Sequence, residues 1–153
     1  MQNKTQRLAC IDIGSNAIKY RQYRISKQKS TNFAELDTFK RISVRLGTDA
    51  FKLKKISFET EQKLLKSIIK LKDKADKKDV KIITGVATSA MRTASNGHKI
   101  CKKIRKKTEI EIKILSGNEE AQLLNFFNYK DFNKEETLVV DIGGGSTELF
   151  HQG

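Results

Sequence analysis

Cysteine is scarce in this chain, with Cys10 and Cys101 alone among 153 residues. Two isolated thiols exclude a disulfide framework and a cysteine metal site, and both are expected as buried, reduced side chains, Cys10 within an apolar run. No stretch reaches the roughly 18 consecutive apolar residues of a membrane span, and the polar residues 1–7 contain no signal-type segment. A cytoplasmic protein without a membrane partner is the expectation. Low-complexity tracts and short repeats are missing too, and only residues 130–136 read as a linker. Acidic residues are in deficit: 18 Asp and Glu stand against 31 Lys and Arg, for a formal charge of +13. Such an excess calls for a polyanionic partner. The basic residues recur at 52–55, 70–78, 99–107 and 19–24 instead of forming one tail, so many belong to solvated helix faces. No helix has the pattern of a nucleic-acid reading element, and Tyr20, Tyr23 and Phe39 fit strand packing better than base stacking. No specific nucleic acid is expected.

What is present is a change of period along the chain. Residues 8–13 form a continuous apolar run broken by Gly14, and residues 17–25 alternate, giving strand, tight loop, strand. After a polar turn at 26–32, residues 33–46 read as a third, largely exposed strand. From 57 to about 75 the spacing becomes helical, with Leu64, Leu65, Ile68 and Ile69 opposite a charged face. Residues 79–88 read as a buried strand whose exit, 88–96, is rich in small and hydroxyl residues. A second helix over 96–107 turns Ile100 and Ile104 inward, and 110–115 is the next strand. Ser116 and Glu119 have capping-box spacing and open a helix running to about 129. Residues 137–142 and 147–150 are then two further strands around a glycine loop. The fold class is α/β: a ribonuclease-H-like lobe over 1–129 with a mixed sheet and flanking helices, the linker 130–136, and the start of a second such lobe over 137–153. A two-strand piece of this kind is marginal alone and exposes its edges, which invites a homodimer.

Two segments carry chemistry. Asp12, Gly14, Ser15 and Asn16 place a carboxylate at a strand end and a glycine in the turn, where a backbone without Cβ brings N–H groups close to phosphate oxygens. Asp141, Gly143, Gly144, Gly145, Ser146, Thr147 and Glu148 repeat the arrangement with three successive glycines. Either turn alone is an ordinary feature of loops. The pair is far more specific, because opposed loops can clamp one phosphate chain from both sides.

Five segments stand in order along the chain: DIGSNA at 12–17, VRLG at 44–47, ATSAMRTASN at 87–96, SGNEEA at 116–121 and VDIGGGSTE at 140–148. On these the chain resembles the actin-like ATPase superfamily and, within it, the exopolyphosphatase and guanosine pentaphosphatase family. The resemblance implies hydrolysis of the terminal phosphoanhydride of inorganic polyphosphate or guanosine pentaphosphate (pppGpp). By the same resemblance Gly14, Ser15, Asn16, Arg92 and Gly143 to Thr147 hold phosphoryl oxygens, the forked guanidinium of Arg92 being suited to the task. Asp141, Glu148 and Asp12 are implied to hold Mg²⁺, a hard cation that takes oxygen ligands and keeps several waters. A glutamate of SGNEEA, Glu119 or Glu120, is implied as the base that orients water. If Ser116 caps the helix, Glu119 closes the capping box and leaves Glu120 to face the cleft. Ala17 stands where family members commonly have Ser or Thr, so one hydroxyl donor is missing.

The family carries a second lobe of comparable size, so little or no hydrolase activity is expected of these 153 residues alone. Two other readings share the same motifs: a polyphosphate- or nucleotide-binding module without turnover, and an actin-like ATPase or kinase relative.

Overall fold

The computed structural model describes residues 6–28, 31–124 and 137–152. Strands β1 (Gln6–Ile13), β2 (Ala17–Gln28) and β3 (Thr31–Ser43) form an antiparallel meander, and β4 (Ile82–Ala87) and β5 (Ile112–Ile114) extend it as parallel strands, in the order β3-β2-β1-β4-β5. This is the mixed sheet expected of the ribonuclease-H-like lobe. The helices are α1 (Leu46–Leu53), α2 (Phe58–Asp76), α3 (Ser89–Thr93), α4 (Gly97–Thr108) and α5 (Gly117–Leu124). A separate two-stranded sheet joins β6 (Thr137–Ile142) to β7 (Thr147–Gln152).

Alternation along β1 decides which face is covered. Ala9, Ile11 and Ile13 are buried and lie opposite Gln22, Tyr20 and Ile18 of β2, so one sheet face is apolar. Leu64, Ile68 and Leu71 of α2 and Ile100 and Ile104 of α4 join the same core at helical spacing. Each such side chain, fully withdrawn from water, contributes about 1.5–3 kcal/mol relative to exposure. Buried Gln22 keeps both ends of its amide satisfied: its Oε1 accepts from Tyr20 OH at 2.8 Å and its Nε2 donates to Asp37 at 2.7 Å. The opposite face carries Cys10, Asp12, Lys19 and Arg21, so Cys10 is only half-buried, whereas Cys101 is buried as expected.

Two expectations need correction, and a segment read only by its composition holds an element of its own. The polar segment at 26–32 is largely strand, because Lys27 pairs with Asn32 and Gln28 with Thr31 in one long hairpin. The third strand stops at Ser43 instead of running to 46: the amides of Val44 and Arg45 both donate to the Asn16 carbonyl (3.1 and 2.9 Å), which lifts the chain off β2 and into α1. The hydroxyl-rich exit at 88–96 holds a short helix, α3. The side chain of Asn96, at the end of that segment, accepts from Ile56 N and donates to Ile56 O, both at 2.9 Å, as a backbone strand would. It ties the α1–α2 connection to the α3–α4 junction. Helix α5 is described to Leu124, and the expected continuation to 129 and the linker 130–136 lie outside the described residues. No described helix is long and apolar enough to cross a membrane.

Candidate phosphate site between two glycine turns

The two motif loops have the same construction. Ile13 pairs with Ile18 around the first turn and Ile142 with Thr147 around the second. Gly14 N–H donates to Ala17 O at 3.1 Å, and Gly143 N–H donates to Ser146 O at 2.9 Å. Asp12 and Asp141 therefore occupy equivalent positions, one residue before the loop-closing pair.

The turns meet. A Cβ on Gly144 would lie 2.5 Å from Asn16 Nδ2, and one on Gly145 would lie 2.1 Å from Phe51 and 2.8 Å from Ser15 Oγ. Among the described residues no glycine has a positive φ, so these two are required for close approach rather than for a left-handed turn. Ser89 Oγ adds a hydrogen bond to the Gly145 carbonyl at 2.9 Å. In the first turn the carbonyls are occupied: Gly47 N–H donates to Ser15 O at 2.8 Å, and Val44 and Arg45 share Asn16 O. The amides of Ser15 and Asn16 have no hydrogen-bond partner among the described residues, an arrangement suited to an anion.

A cleft of about 460 Å³ opens at this junction. Asp12, Gly14, Ser15 and Asn16 line it from one turn, Asp141 and Gly143 to Ser146 from the other, and Glu120 of α5 lines it as well. Thr147, on β7, is not among the lining residues, and of Glu148 only the backbone position opposite Asp141 is described. Asp12 pairs with Lys19 at 3.5 Å. The carboxylates present are the oxygen donors a hard cation prefers, and Asp12 and Asp141 face one cleft from opposite turns. Among the described residues no ready-made group of three His, Cys, Asp or Glu could hold a metal.

The glutamate pair is divided by the capping box. Ser116 N donates to Glu119 Oε2 at 2.9 Å, and Glu119 N donates back to Ser116 Oγ at 3.2 Å. Lys113 Nζ at 2.7 Å, ahead of these Ser116 bonds, holds the Glu119 carboxyl well below its usual range, at about 2. Glu120 lies on the other side, in the cleft, with its Oε2 accepting from Arg92 Nη1 at 3.1 Å. The same Nη1 donates to the Leu115 carbonyl at 2.6 Å. Arg92, expected on phosphate, thus does not line the cleft: the open carbonyl at the end of β5 and the Glu120 carboxylate draw it behind Glu120.

Sequence reasoning did not single out Thr88, Lys19 and Arg41 as lining residues or Ser89 as the clasp of the second turn. The hydroxyl-rich run at 88–96 was a usable signal for Thr88 and Ser89. Lys19 and Arg41 show only once the strand register is known, being opposed across β2 and β3.

Comparison with known proteins agrees with this geometry. A bifunctional 3-dehydroquinate synthase/phosphatase of Fusobacterium nucleatum is 34% identical over 152 residues, covering 92% of this chain and 22% of that protein. Exopolyphosphatase 1 of Mycobacterium bovis is 27% identical over 145 residues, covering 94% of this chain and 41% of that protein. The chain thus spans less than half the length of these curated relatives. A crystal structure of the Aquifex aeolicus Ppx/GppA family member shares the fold at a TM-score of 0.77 and 23% identity, over 96% of this chain and 47% of that one. An exopolyphosphatase from Cytophaga hutchinsonii gives a TM-score of 0.79 at 25% identity, over 96% and 46%. The sequence profile of the Ppx/GppA phosphatase family matches residues 24–152, and the chain belongs to that family.

Proposed function

We propose that this chain provides the phosphate-binding lobe and the base of a hydrolase that removes the terminal phosphoryl group from inorganic polyphosphate or pppGpp. The observation that carries the reading is the contact of two equally built glycine turns over a cleft that Glu120 also lines. The amides of the Ser15–Asn16 turn and of the Gly143–Ser146 turn bind phosphoryl oxygens, and Glu120 accepts the proton of the attacking water. Arg92 fixes the Glu120 carboxylate in place through the bond at 3.1 Å. Glu119 holds the start of α5 in register. Mg²⁺ at Asp12 and Asp141, with Glu148 as a further oxygen donor, would neutralise the charge of the phosphate chain and keep waters of its own. We place the reaction in the cytoplasm.

A second reading, phosphate binding without turnover, is favoured by one observation. Leu138, Val140 and Ile142 of β6 and Leu149 of β7 share one face of the hairpin and are exposed, so the Gly143–Ser146 turn has no sheet packed behind it among the described residues. Magnesium-dependent phosphate release from polyphosphate or pppGpp separates the two. Release abolished by Glu120→Gln supports the hydrolase. Salt-sensitive binding without any release supports the binding module.

A further inference from the structure

Asp12, Lys19 and Arg41 are opposed in turn across β1, β2 and β3, so their side chains leave the same sheet face in a row. Lys19 is already paired with Asp12, and Arg41 stands beside it with no carboxylate partner among the described residues. Like charges directly opposite on a sheet repel, which leaves this row in want of an anion. Beyond the end of β3, Arg45 is held in the left-handed region (φ 58°, ψ 44°), where a non-glycine residue seldom stays unless its surroundings impose it. The imposing contacts are the amides of Val44 and Arg45 on the Asn16 carbonyl, at the phosphate turn itself. Arg41 and Arg45 both line a second cavity of about 520 Å³, with Ser43, Thr48 and Asn16. Asn16 and Arg41 also line the cleft, so the two cavities adjoin.

We propose that this annex is a second phosphate subsite, which takes phosphoryl groups upstream of the one held between the glycine turns. It rests on the phosphate reading above and narrows it: the ligand is a linear inorganic polyphosphate that runs from the cleft over Arg41 to Arg45. Two guanidiniums flanked by the Ser43 and Thr48 hydroxyls match successive phosphoryl groups, whereas a single phosphate monoester fills the cleft and leaves the annex idle.

The test is calorimetric binding of pyrophosphate and of a long linear polyphosphate to the whole chain. Arg41→Gln with Arg45→Asn is the principal variant, since asparagine tolerates the left-handed backbone. Lys66→Gln with Lys70→Gln, on the exposed face of α2, removes the same charge elsewhere. The principal variant is expected to weaken long-chain binding by about tenfold or more, the scale of lost charge-assisted contacts, and to weaken pyrophosphate, which reaches only Arg41 at the edge of the cleft, by a clearly smaller factor. Arg41→Gln alone, away from the strained residue, should give part of that loss. Equal losses for both ligands, or an equal loss in the α2 control, would overturn the subsite. If the unaltered chain binds pyrophosphate but gains nothing from added length, the glycine-turn reading stands and the subsite falls. If it binds neither, both fall together.

Discussion

One guanidinium nitrogen of Arg92 serves two acceptors, the Leu115 carbonyl at 2.6 Å and the Glu120 carboxylate at 3.1 Å. It joins the end of the last parallel strand to the first turn of α5, and so sets where Glu120 stands. Arg92→Ala removes a charged donor from a carbonyl and a carboxylate at once, and a cost of about 1–3 kcal/mol in unfolding free energy is expected. Glu120→Gln keeps the Leu115 bond and should cost clearly less. Urea denaturation of both variants checks the order, and a neutral Arg92→Ala would contradict the positioning role.

The proposed base gives a second expectation. In any preparation that releases phosphate from polyphosphate, Glu120→Gln is expected to lower kcat by about 10²–10⁴-fold while polyphosphate binding is retained. Glu119→Gln, which weakens only the capping box and its Lys113 pair, should lower kcat far less. A larger loss from Glu119 than from Glu120 would reverse the assignment.

The glycines of the second turn make a graded series. Gly144→Ala and Gly145→Ala force a methyl against Asn16 and Phe51, and each is expected to weaken phosphate binding by an order of magnitude or more, because the turns must part. Gly117→Ala meets nothing within 4 Å and should leave binding unchanged, with stability equal or up by about 0.4–1 kcal/mol. Titration with pyrophosphate ranks the three.

Glu119 supplies a pH signature. Its folded pKa is depressed from the ordinary 4.5 to about 2, first by Lys113 and then by the Ser116 amide and hydroxyl. A depressed carboxyl contributes stability that is fully present above its unfolded pKa and lost as pH falls through the folded one. The difference in Tm between the unaltered chain and Glu119→Gln should therefore be constant above about pH 5 and shrink between about 4.5 and 2. A difference that grows on acidification would show the sign to be wrong.

The exposed face of the β6–β7 hairpin predicts self-association. Leu138, Val140, Ile142 and Leu149 lie together on it, and an unpaired apolar hairpin is a ready pairing surface. Leu138→Lys with Leu149→Lys should shift sedimentation toward monomer at high protein concentration, with thermal unfolding of the main lobe unchanged.

Much of this was legible from residues alone, for stated reasons. A continuous apolar run marked β1, alternation marked β2 and period-3.6 spacing marked α2 and α4, and the Ser116–Glu119 box was readable because both partners lie within one turn. Helix α1 was missed although Leu46 and Ala50 are buried at i, i+4 spacing. The segment begins with Arg45 in a left-handed conformation imposed by Asn16, a contact between residues far apart in sequence, and no side-chain cap announces the helix. The partners of Arg92 were hidden for the same kind of reason: its forked chemistry suits phosphate, and the carbonyl and carboxylate it meets come from β5 and α5, whose approach only the fold reveals.

Where Gly144 rests on Asn16, the second turn presents backbone alone. The gap between the two turns is consequently measured out by one amide side chain. Asn16 is a spacer as well as a proposed phosphate ligand, and a residue one carbon longer, Gln, would widen the opening between the turns.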